Sequence, residues 1–346
     1  MKINKLKLIK DVEKVLPGIS SGDVVLEGAD TAVFKNNHIY SYNSAISVDV
    51  ANSQQMDLQG VVKGKDFYNC LVKLPNDEID ISAEGEHWVI RSDKIKVKIN
   101  LLPFAQIHER FDGLVPVDSA WGKIDGKKFQ EVLKICSMPK NNSKFAGLCH
   151  KGGTFISTDS YIINACKTAD KFPDFWIAKD AVSELMKWDN FEAIQMNKMW
   201  LQFKSSDETV FSVRCLDIEL FPFDKVDGVL KSNLSAEASL TSTFSKAFYE
   251  SVNRASIFSG ESDGHSTVTL KIGQDGTSVL SKRLSGEYEE FVKDIVSEKP
   301  FDLVLDVSML QDSQSLFDKF RLTERGESVM VILERDNAYK MFSNII

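Results

Sequence analysis

The sequence predicts an α+β protein in which short helices alternate with groups of antiparallel strands. Three segments repeat one pattern, with Phe and Leu or Val four residues apart on one helix face and a lysine at the start. They are Lys65–Leu71, Lys128–Leu133 and Lys246–Val252. Between the helices, runs of alternating apolar and polar residues are separated by turn-forming pairs. Because each helix precedes several strands instead of connecting two of them, antiparallel sheets are expected.

The predicted turns lie at residue pairs that favour tight hairpins. They are Asn36-Asn37, Glu84-Gly85, Ser92-Asp93, Asp275-Gly276 and Asp336-Asn337.

Further amphipathic patterns complete a regular series of helices. They predict helices over Lys5–Leu16, Lys179–Trp188 and Val307–Phe317. The centres of the six helices are about 53 to 66 residues apart, which indicates a repeated unit of one helix and three or four strands. Two units in each domain predict three similar domains, residues 1–117, 118–232 and 233–346.

The composition excludes several classes of protein. No apolar run is long enough to span a membrane, and the lysine-rich N-terminus does not resemble a signal peptide. Five cysteines without a C-x-x-C pair favour reduced thiols in the cytoplasm, and they argue against disulfides or a zinc site. The five histidines are scattered singly. No cofactor, metal or membrane partner is therefore predicted.

A five-residue match to the serine-hydrolase motif G-x-S-x-G occurs at 260–264. In such enzymes a strand precedes the serine and a helix follows it. Here the order is reversed, because a helix is predicted over Thr243–Phe258 and a strand over Ser266–Ile272. His265 is also too close along the chain to act as a positioned base for Ser262. The match is interpreted as a helix-ending glycine followed by a polar loop.

Other catalytic patterns are also missing from the sequence. It contains no phosphate-binding G-x-x-x-x-G-K-[ST] loop. Asp302 and Asp306 are interpreted as a strand edge and a helix N-cap in preference to a catalytic pair. The protein is therefore predicted not to be an enzyme.

Positive charge is concentrated on the predicted helices. Residues 1–16, 63–73, 125–140 and 246–254 carry formal charges of +3, +2, +2 and +1, and two further helical segments are neutral. The helices thus total +8 and the rest of the chain −16, within a net charge of −8. If the helices share one side, an acidic protein presents a basic surface that contacts DNA phosphates without reading the sequence. The open alternative is that these lysines only keep the helix faces soluble.

Five segments carry further information in their order and spacing. They are GKDFYNCLVKLPNDEIDISAEGEHWVIRSDKIKVKINLLP (64–103), GTFISTDSYIINAC (153–166), FSKAFYESVNRASIFSG (244–260), LVLDVSMLQDSQSL (303–316) and AYKMFSNII (338–346). Together they resemble the bacterial beta sliding clamp family, the processivity ring of replicative DNA polymerase.

The resemblance implies a clamp fold of three similar domains and a head-to-tail homodimer that closes into a ring. Double-stranded DNA would pass through the hole, an ATP-dependent clamp loader would open the ring, and a DNA polymerase would bind an apolar groove by a short peptide. Location in the cytoplasm of a bacterium or a phage-infected bacterium is also implied. An alternative is a scaffold of the same fold that binds a partner without ring closure.

The resemblance also assigns individual residues. The implied DNA-facing residues are Lys10, Lys14, Lys65, Lys73, Lys127, Lys128, Lys134, Lys140, Lys144, Lys246 and Arg254. The implied partner-peptide groove consists of Thr158, Ile163, Pro222, Met309, Met341 and Phe342, although Met341 and Phe342 could equally be core. The implied dimer interface includes Ile257 and Phe258.

The sequence departs from the family pattern at three places. Ser160-Tyr161-Ile162 replaces Gly-His-Arg, Lys340 and Ser343 interrupt the apolar C-terminal strand, and the short N-terminus leaves little room for a first strand. A different partner peptide is therefore expected, and such divergence would suit a clamp encoded by a bacteriophage.

Overall fold

The computed structural model describes most of the 346 residues. The described residues are 1–20, 27–103, 121–137, 143–243, 245–259, 261, 262, 265–311, 313, 315–326 and 328–344.

The helices of the described chain are short and widely spaced. They are α1 (Lys5–Val15), α2 (Gly64–Lys73), α3 (Gly126–Ile135), α4 (Lys179–Leu185), α5 (Phe223–Ser235), α6 (Lys246–Ala255) and α7 (Val307–Gln311). Single 3-10 turns occur at Leu16–Gly18, Ile218–Leu220 and Ser256–Phe258. The six predicted helices are thus present, and α5 is an additional one.

One compact unit comprises Met1–Gln130 and Ser183–Leu216. Its strands are β1 (Lys2–Asn4), β2 (Thr31–Lys35), β3 (His38–Tyr42), β4 (Ile46–Ala51), β5 (Gly60–Lys63), β6 (Glu78–Glu84), β7 (His87–Ser92), β8 (Ile95–Asn100), β9 (Gly122–Lys123), β14 (Phe191–Asn197), β15 (Trp200–Ser205) and β16 (Val210–Arg214). They form a four-stranded sheet, β1-β6-β7-β8, and an eight-stranded sheet, β5-β2-β3-β4-β16-β15-β14-β9. Every pairing is antiparallel, as predicted.

The other compact unit comprises Glu131–Val182 and Asp217–Ile346. Its strands are β10 (Gly147–Lys151), β11 (Thr154–Thr158), β12 (Ile162–Lys167), β13 (Phe175–Ala178), β17 (Leu240–Thr243), β18 (Glu261–Ser262), β19 (His265–Ile272), β20 (Thr277–Arg283), β21 (Gly286–Val292), β22 (Phe301–Asp306), β23 (Lys319–Arg325), β24 (Ser328–Arg335) and β25 (Ala338–Ser343). An eight-stranded sheet runs β13-β10-β11-β12-β25-β24-β23-β17. A five-stranded sheet runs β18-β19-β20-β21, with β22 paired to β19. The boundaries of the three predicted domains stay a prediction.

The repeated Phe–Leu or Phe–Val pattern forms the core, as its spacing predicts. Phe67 and Leu71 of α2 and Phe248 and Val252 of α6 are all fully buried. In the first unit Phe67 packs edge-on against Trp88, with ring centroids 5.8 Å apart. The helices therefore bury one apolar face against the sheets and leave the lysine-bearing face exposed.

Two helices are shorter than predicted, and a side chain bonds a carbonyl oxygen near the end of each. α4 ends at Leu185, whose carbonyl oxygen accepts a 3.0 Å hydrogen bond from the side chain of Gln130, 55 positions away in the chain. α7 ends at Gln311, and the Ser313 hydroxyl donates to the Met309 carbonyl at 2.5 Å. A local bond such as that of Ser313 competes with continued helix.

The N-terminal expectation was wrong, because residues Lys2–Asn4 do form a strand before α1. β1 pairs with β6, and the Asn4 side chain at its end caps α1 by accepting from the Lys7 amide at 3.0 Å. Three residues are enough here because the last of them serves both elements.

Most predicted hairpin turns are also present. Those at Asn36-Asn37 and Asp336-Asn337 match. Two others begin one residue later, at Gly85 and Asp93, where φ is +63° and +51°. The backbone takes the positive φ that tight hairpins require at the residue best able to adopt it.

Candidate functional site

An apolar cluster lies on one face of the second unit's eight-stranded sheet. β12 pairs with β25 so that Ile163 lies opposite Met341. α5 packs across β11 and closes part of this face. The buried members of the cluster are Cys149, Ile156, Ala165, Trp176, Ile332 and Met341 on the sheet, and Phe221, Phe223 and Leu230 in and before α5.

The exposed margin of this cluster is a row of half-buried apolar side chains, here called the apolar rim. It consists of Phe145, Ile163, Val226 and Tyr339, all packed against the cluster. Pro222 immediately precedes α5 and is also half-buried. The sequence analysis identified Ile163 and Pro222 but missed the other three, which contact the cluster from other elements. The apolar rim therefore presents apolar surface on the side of the sheet where the resemblance implies a partner-peptide groove.

Lysine side chains lie over aromatic rings at this cluster. Lys144 Nζ lies 4.9 Å from the centroid of the Phe145 ring, and Lys151 Nζ lies 5.8 Å from that of Phe223. Both distances are in the range of cation–π contacts. Lys144, assigned above to DNA, thus lies at the apolar rim.

Two of the implied groove residues lie on the opposite face of the sheet. Phe342 is 1% exposed and Met309 is 9% exposed, and both belong to the second unit's other core cluster. Neighbouring strand residues point to opposite faces, so Met341 and Phe342 cannot line the same groove. Met341 itself is 1% exposed and forms the base of the apolar cluster instead of its surface.

The β11–β12 turn at the end of this surface is held by hydrogen bonds. The buried Thr158 hydroxyl donates to the Ile162 carbonyl at 2.7 Å and accepts from the Ser160 amide at 3.1 Å. The Asp159 carboxylate accepts from the amides of Tyr161 and Ile162 at 2.9 and 2.8 Å. Tyr161 is 73% exposed, so a well-fixed turn presents an aromatic ring to solvent.

Several of the implied DNA-facing residues are exposed, and four form ion pairs. Lys10, Lys65, Lys73, Lys127 and Lys134 are exposed on α1, α2 and α3. The ion pairs are Lys14 with Asp207, Lys128 with Asp125, Lys246 with Glu250, and Arg254 with Glu290. Lys128 and Lys246 stay 68% and 84% exposed despite their pairs. Lys140 lies outside the described residues.

Several hydrogen bonds keep the Asp207 carboxylate ionised beside Lys14. Burial opposes ionisation of the Asp207 carboxyl, but hydrogen bonds from Lys14, Ser205 and Thr209 outweigh it and hold the pKa of Asp207 below its usual range. Asp207 therefore remains charged beside Lys14.

The implied interface pair follows α6. Ile257 is 59% exposed, and Phe258 is half-buried beside Gly286 at the start of β21. The nearby β20–β21 turn exposes Leu284 completely. The assignment of Ile257 and Phe258 to a dimer interface therefore stays a prediction.

The hydrolase motif does not adopt its required geometry. α6 precedes Ser262, which lies on the two-residue strand β18 paired with β19. This confirms the predicted order of helix before and strand after. The predicted helix-ending glycine and polar loop were wrong, because α6 ends at Ala255, five residues before Gly260, and residues 261–262 form β18. Asp306 accepts from the Ser308 amide at 2.8 Å and from its hydroxyl at 2.6 Å, which confirms its capping role at the start of α7.

Neither metal ligation nor membrane spanning is indicated in the part of the chain that the structure describes. No group of three or more His, Cys, Asp or Glu side chains there could hold a metal ion. No helix among the same residues is long and apolar enough to cross a membrane. Burial raises the pKa of the Cys149 thiol to about 12 and that of Cys166 to about 11, so neither is a ready nucleophile.

Solved structures similar to this chain are bacterial sliding clamps. The C. crescentus beta sliding clamp matches with a TM-score of 0.80 and 14% identity over 100% of this chain and 98% of that one. The Bacillus subtilis DNA polymerase sliding clamp matches with a TM-score of 0.79 and 16% identity over 100% and 98%. The Helicobacter pylori beta clamp bound to a DNA ligase peptide matches with a TM-score of 0.78 and 16% identity over 100% and 99%.

These likenesses show that the chain has the bacterial sliding-clamp fold along its whole length, which confirms the predicted α+β clamp architecture. No protein-family model and no curated protein sequence matches the chain.

Proposed function

We propose that this protein is a DNA sliding clamp that encircles duplex DNA and tethers a DNA polymerase, with no catalysis of its own. The observation that carries the proposal is the match of the whole chain, at TM-scores of 0.78 to 0.80, to clamps whose own lengths are covered almost completely. In this proposal the protein works in the cytoplasm, and its three domains are residues 1–117, 118–232 and 233–346.

The charge distribution supports the DNA-binding part of the proposal. The helical segments total +8 in a protein of net charge −8, and five of the assigned lysines are exposed on α1, α2 and α3. Lysine–phosphate contacts are independent of base sequence and sensitive to salt. A ring that touches only phosphates therefore slides, and encirclement instead of affinity keeps it on DNA.

The apolar rim supports the partner-binding part. A short extended peptide of a DNA polymerase, or of an ATP-dependent clamp loader, would place apolar side chains against Ile163, Val226 and Tyr339. The H. pylori clamp of the same fold is bound to a DNA ligase peptide. Phe145 and Lys144 add an aromatic ring and a cation at the same rim, which would select the peptide's aromatic and acidic residues.

Two edge strands support pairing with a second copy of the chain. β8 ends the four-stranded sheet and β21 ends the five-stranded sheet, and no described residue pairs with the outer edge of either. Residues 94–100, around β8, carry three lysines and no acid, whereas residues 286–292, which form β21, carry no base and expose Glu287 and Glu289. β8 of one copy against β21 of another would join backbone hydrogen bonds with opposite charges.

Apolar contacts would complete the same interface. Leu284 precedes β21 by two residues, Phe258 lies beside Gly286, and the 3-10 turn that carries Ile257 packs against β21. One such interface at each end of each chain closes a head-to-tail dimer into a ring.

The decisive experiment compares retention of the protein on two forms of one DNA. The protein is loaded onto nicked circular plasmid with an ATP-dependent clamp loader and separated by gel filtration, before and after the plasmid is cut once. A sliding clamp stays on the circle and leaves the linear form by its ends. Equal retention on both forms would refute encirclement.

The non-encircling scaffold makes a different prediction for the free protein. Sedimentation of a monomer at micromolar concentration, together with binding of partner peptide, would favour the scaffold. Closed rings in negative-stain electron microscopy would favour the clamp.

A further inference from the structure

Arg254 is held in an extensive network at the C-terminal end of α6. Its Nη2 donates to both carboxylate oxygens of Glu290, at 2.8 and 2.7 Å, and its Nε donates to Glu290 Oε2 at 3.1 Å. The same Nε lies 3.1 Å from the Tyr288 hydroxyl, which itself donates to Glu290. A guanidinium bound to both oxygens of a carboxylate is among the stronger charged hydrogen-bonded pairs.

The network joins α6 to an edge strand. Tyr288 and Glu290 belong to β21, and successive strand residues point to opposite faces. Tyr288, Glu290 and the buried Val292 therefore face α6, whereas Glu287, Glu289 and Phe291 point the other way and are exposed. Arg254 thus fixes the inner face of the strand whose outer edge has no described partner.

The same end of α6 leads directly into the exposed apolar turn. Ala255 ends the helix, and the 3-10 turn Ser256–Phe258 follows it. A Cβ atom added to Gly286 would lie 2.9 Å from the Phe258 ring, so the turn rests on the first residue of β21. The Ser281 hydroxyl also donates to the Ala255 carbonyl at 2.6 Å. The helix end, the turn and the strand consequently hold one another in place.

We propose that Arg254 is a positioning residue for the interface with a second copy of this chain, and not a contact for DNA. By tying β21 to α6, it holds the strand edge and Ile257 in the arrangement that the second copy binds. This inference rests on the dimer of the proposed function, but it assigns Arg254 a role that the resemblance did not. Glu290 already pairs with the guanidinium, although the Arg254 side chain stays 48% exposed, so an experiment has to separate the two roles.

One pair of variants distinguishes the two roles, because a positioning role predicts the same effect for both variants and a DNA-contact role predicts opposite effects. As a positioning pair, Arg254→Met and Glu290→Gln each raise the dimer Kd about three- to tenfold, and the double variant does no more than either alone. As a DNA contact, Arg254→Met would shorten and Glu290→Gln would lengthen the residence of the loaded protein on nicked circles, because the latter frees the cation. Sedimentation velocity of the full chain measures the first quantity, and release from the circles over a salt series measures the second.

A matched control lies on the same helix. Lys246 pairs with Glu250 at 3.2 Å with its side chain 84% exposed, and neither residue belongs to the network. Lys246→Met is expected to leave the dimer Kd unchanged. Arg254→Lys keeps the charge but loses the two-pronged geometry, so it is expected to raise the dimer Kd almost as much as Arg254→Met.

The outcomes separate this inference from the proposed function. A wild-type protein that never dimerises overturns the sliding-clamp proposal itself. A wild-type dimer with unchanged Kd in folded Arg254→Met and Glu290→Gln variants, confirmed by far-ultraviolet circular dichroism, overturns only the positioning role. Opposite effects of the two variants on DNA residence would return Arg254 to the DNA-facing group.

Discussion

Truncation of Phe342 is expected to damage the fold and not the peptide groove. The side chain is 1% exposed and lies opposite Ile162 on one side and Val331 on the other, within the second unit's core. Removing a buried phenyl ring costs its transfer free energy plus the cavity that it leaves, so Phe342→Ala should lower the free energy of unfolding by about 3–5 kcal/mol. Ile163→Ala, at the half-buried rim, should cost only about 1 kcal/mol.

Peptide binding should show the reverse order. The free energy of unfolding is measured by urea titration at one fixed protein concentration, because dimerisation would otherwise shift the midpoint. Because a partner peptide different from that of the family is expected, binding is followed by the anisotropy of a fluorescent apolar peptide that has first been selected for binding to the wild-type protein. Ile163→Asp should weaken binding at least tenfold, whereas folded Phe342→Leu should bind as the wild type does. If Phe342→Ala costs less than about 1 kcal/mol yet weakens binding tenfold, the ring reaches the groove and the two-face argument is wrong.

Three further predictions concern acid stability, ring closure and DNA contact. Burial among aromatic rings lowers the pKa of His150, so the unfolded chain binds a proton more readily than the folded protein does. The free energy of unfolding therefore falls as the pH drops below about 6.5. In urea unfolding, His150→Phe should lose less stability than the wild type between pH 7 and 5, and an equal loss would contradict this cause. Ile257→Asp should raise the dimer Kd at least tenfold in sedimentation. At protein concentrations far below the dimer Kd, where dimerisation no longer contributes, its urea midpoint should equal that of the wild type because the side chain is exposed. An unchanged Kd would remove Ile257 from the interface. Lys65→Ala should make the negative slope of the logarithm of the duplex association constant against the logarithm of the salt concentration shallower by roughly 0.9, because one phosphate contact is lost. Lys225→Ala on α5 should leave this slope unchanged. Equal effects of the two variants would argue against a special role for the α2 lysine.

The helices that were predicted from a Phe followed four residues later by Leu or Val are present in the structure. The pairs in α2 and α6 follow this rule and are buried. α5 was missed, and the predicted domain boundary at 232–233 lies inside it. Its apolar residues Phe223, Val226 and Leu230 do keep helical spacing, but Gly228 and several Asp and Ser residues lower its intrinsic helix propensity. The stability of α5 therefore comes from packing on β11, which local patterns do not reveal.

The groove residues were predicted less well than the fold, for a reason that strand geometry makes clear. Met341 and Phe342 are adjacent on one strand and so had to face opposite sides of the sheet, a signal that was present in the sequence. In contrast, the sequence held no local signal that Phe145 and Tyr339 belong to the apolar rim, because they reach it through tertiary packing against Phe221 and its neighbours. The pairing of Arg254 with Glu290 likewise joins residues 36 positions apart and could not be read from local spacing.

The two eight-stranded sheets have a consequence for any attempt to study the predicted domains separately. β4 is hydrogen-bonded to β16, and β12 to β25, so each sheet joins strands from two of the three predicted domains. A fragment that ends at residue 232 would expose the side of β12 that β25 covers, including Ile163 where Met341 had been. An exposed apolar strand edge with unpaired backbone groups favours aggregation. Neighbouring predicted domains thus contribute strands to the same sheet. Experiments on isolated fragments would therefore measure the behaviour of newly exposed strand edges and not the stability of independently folding units.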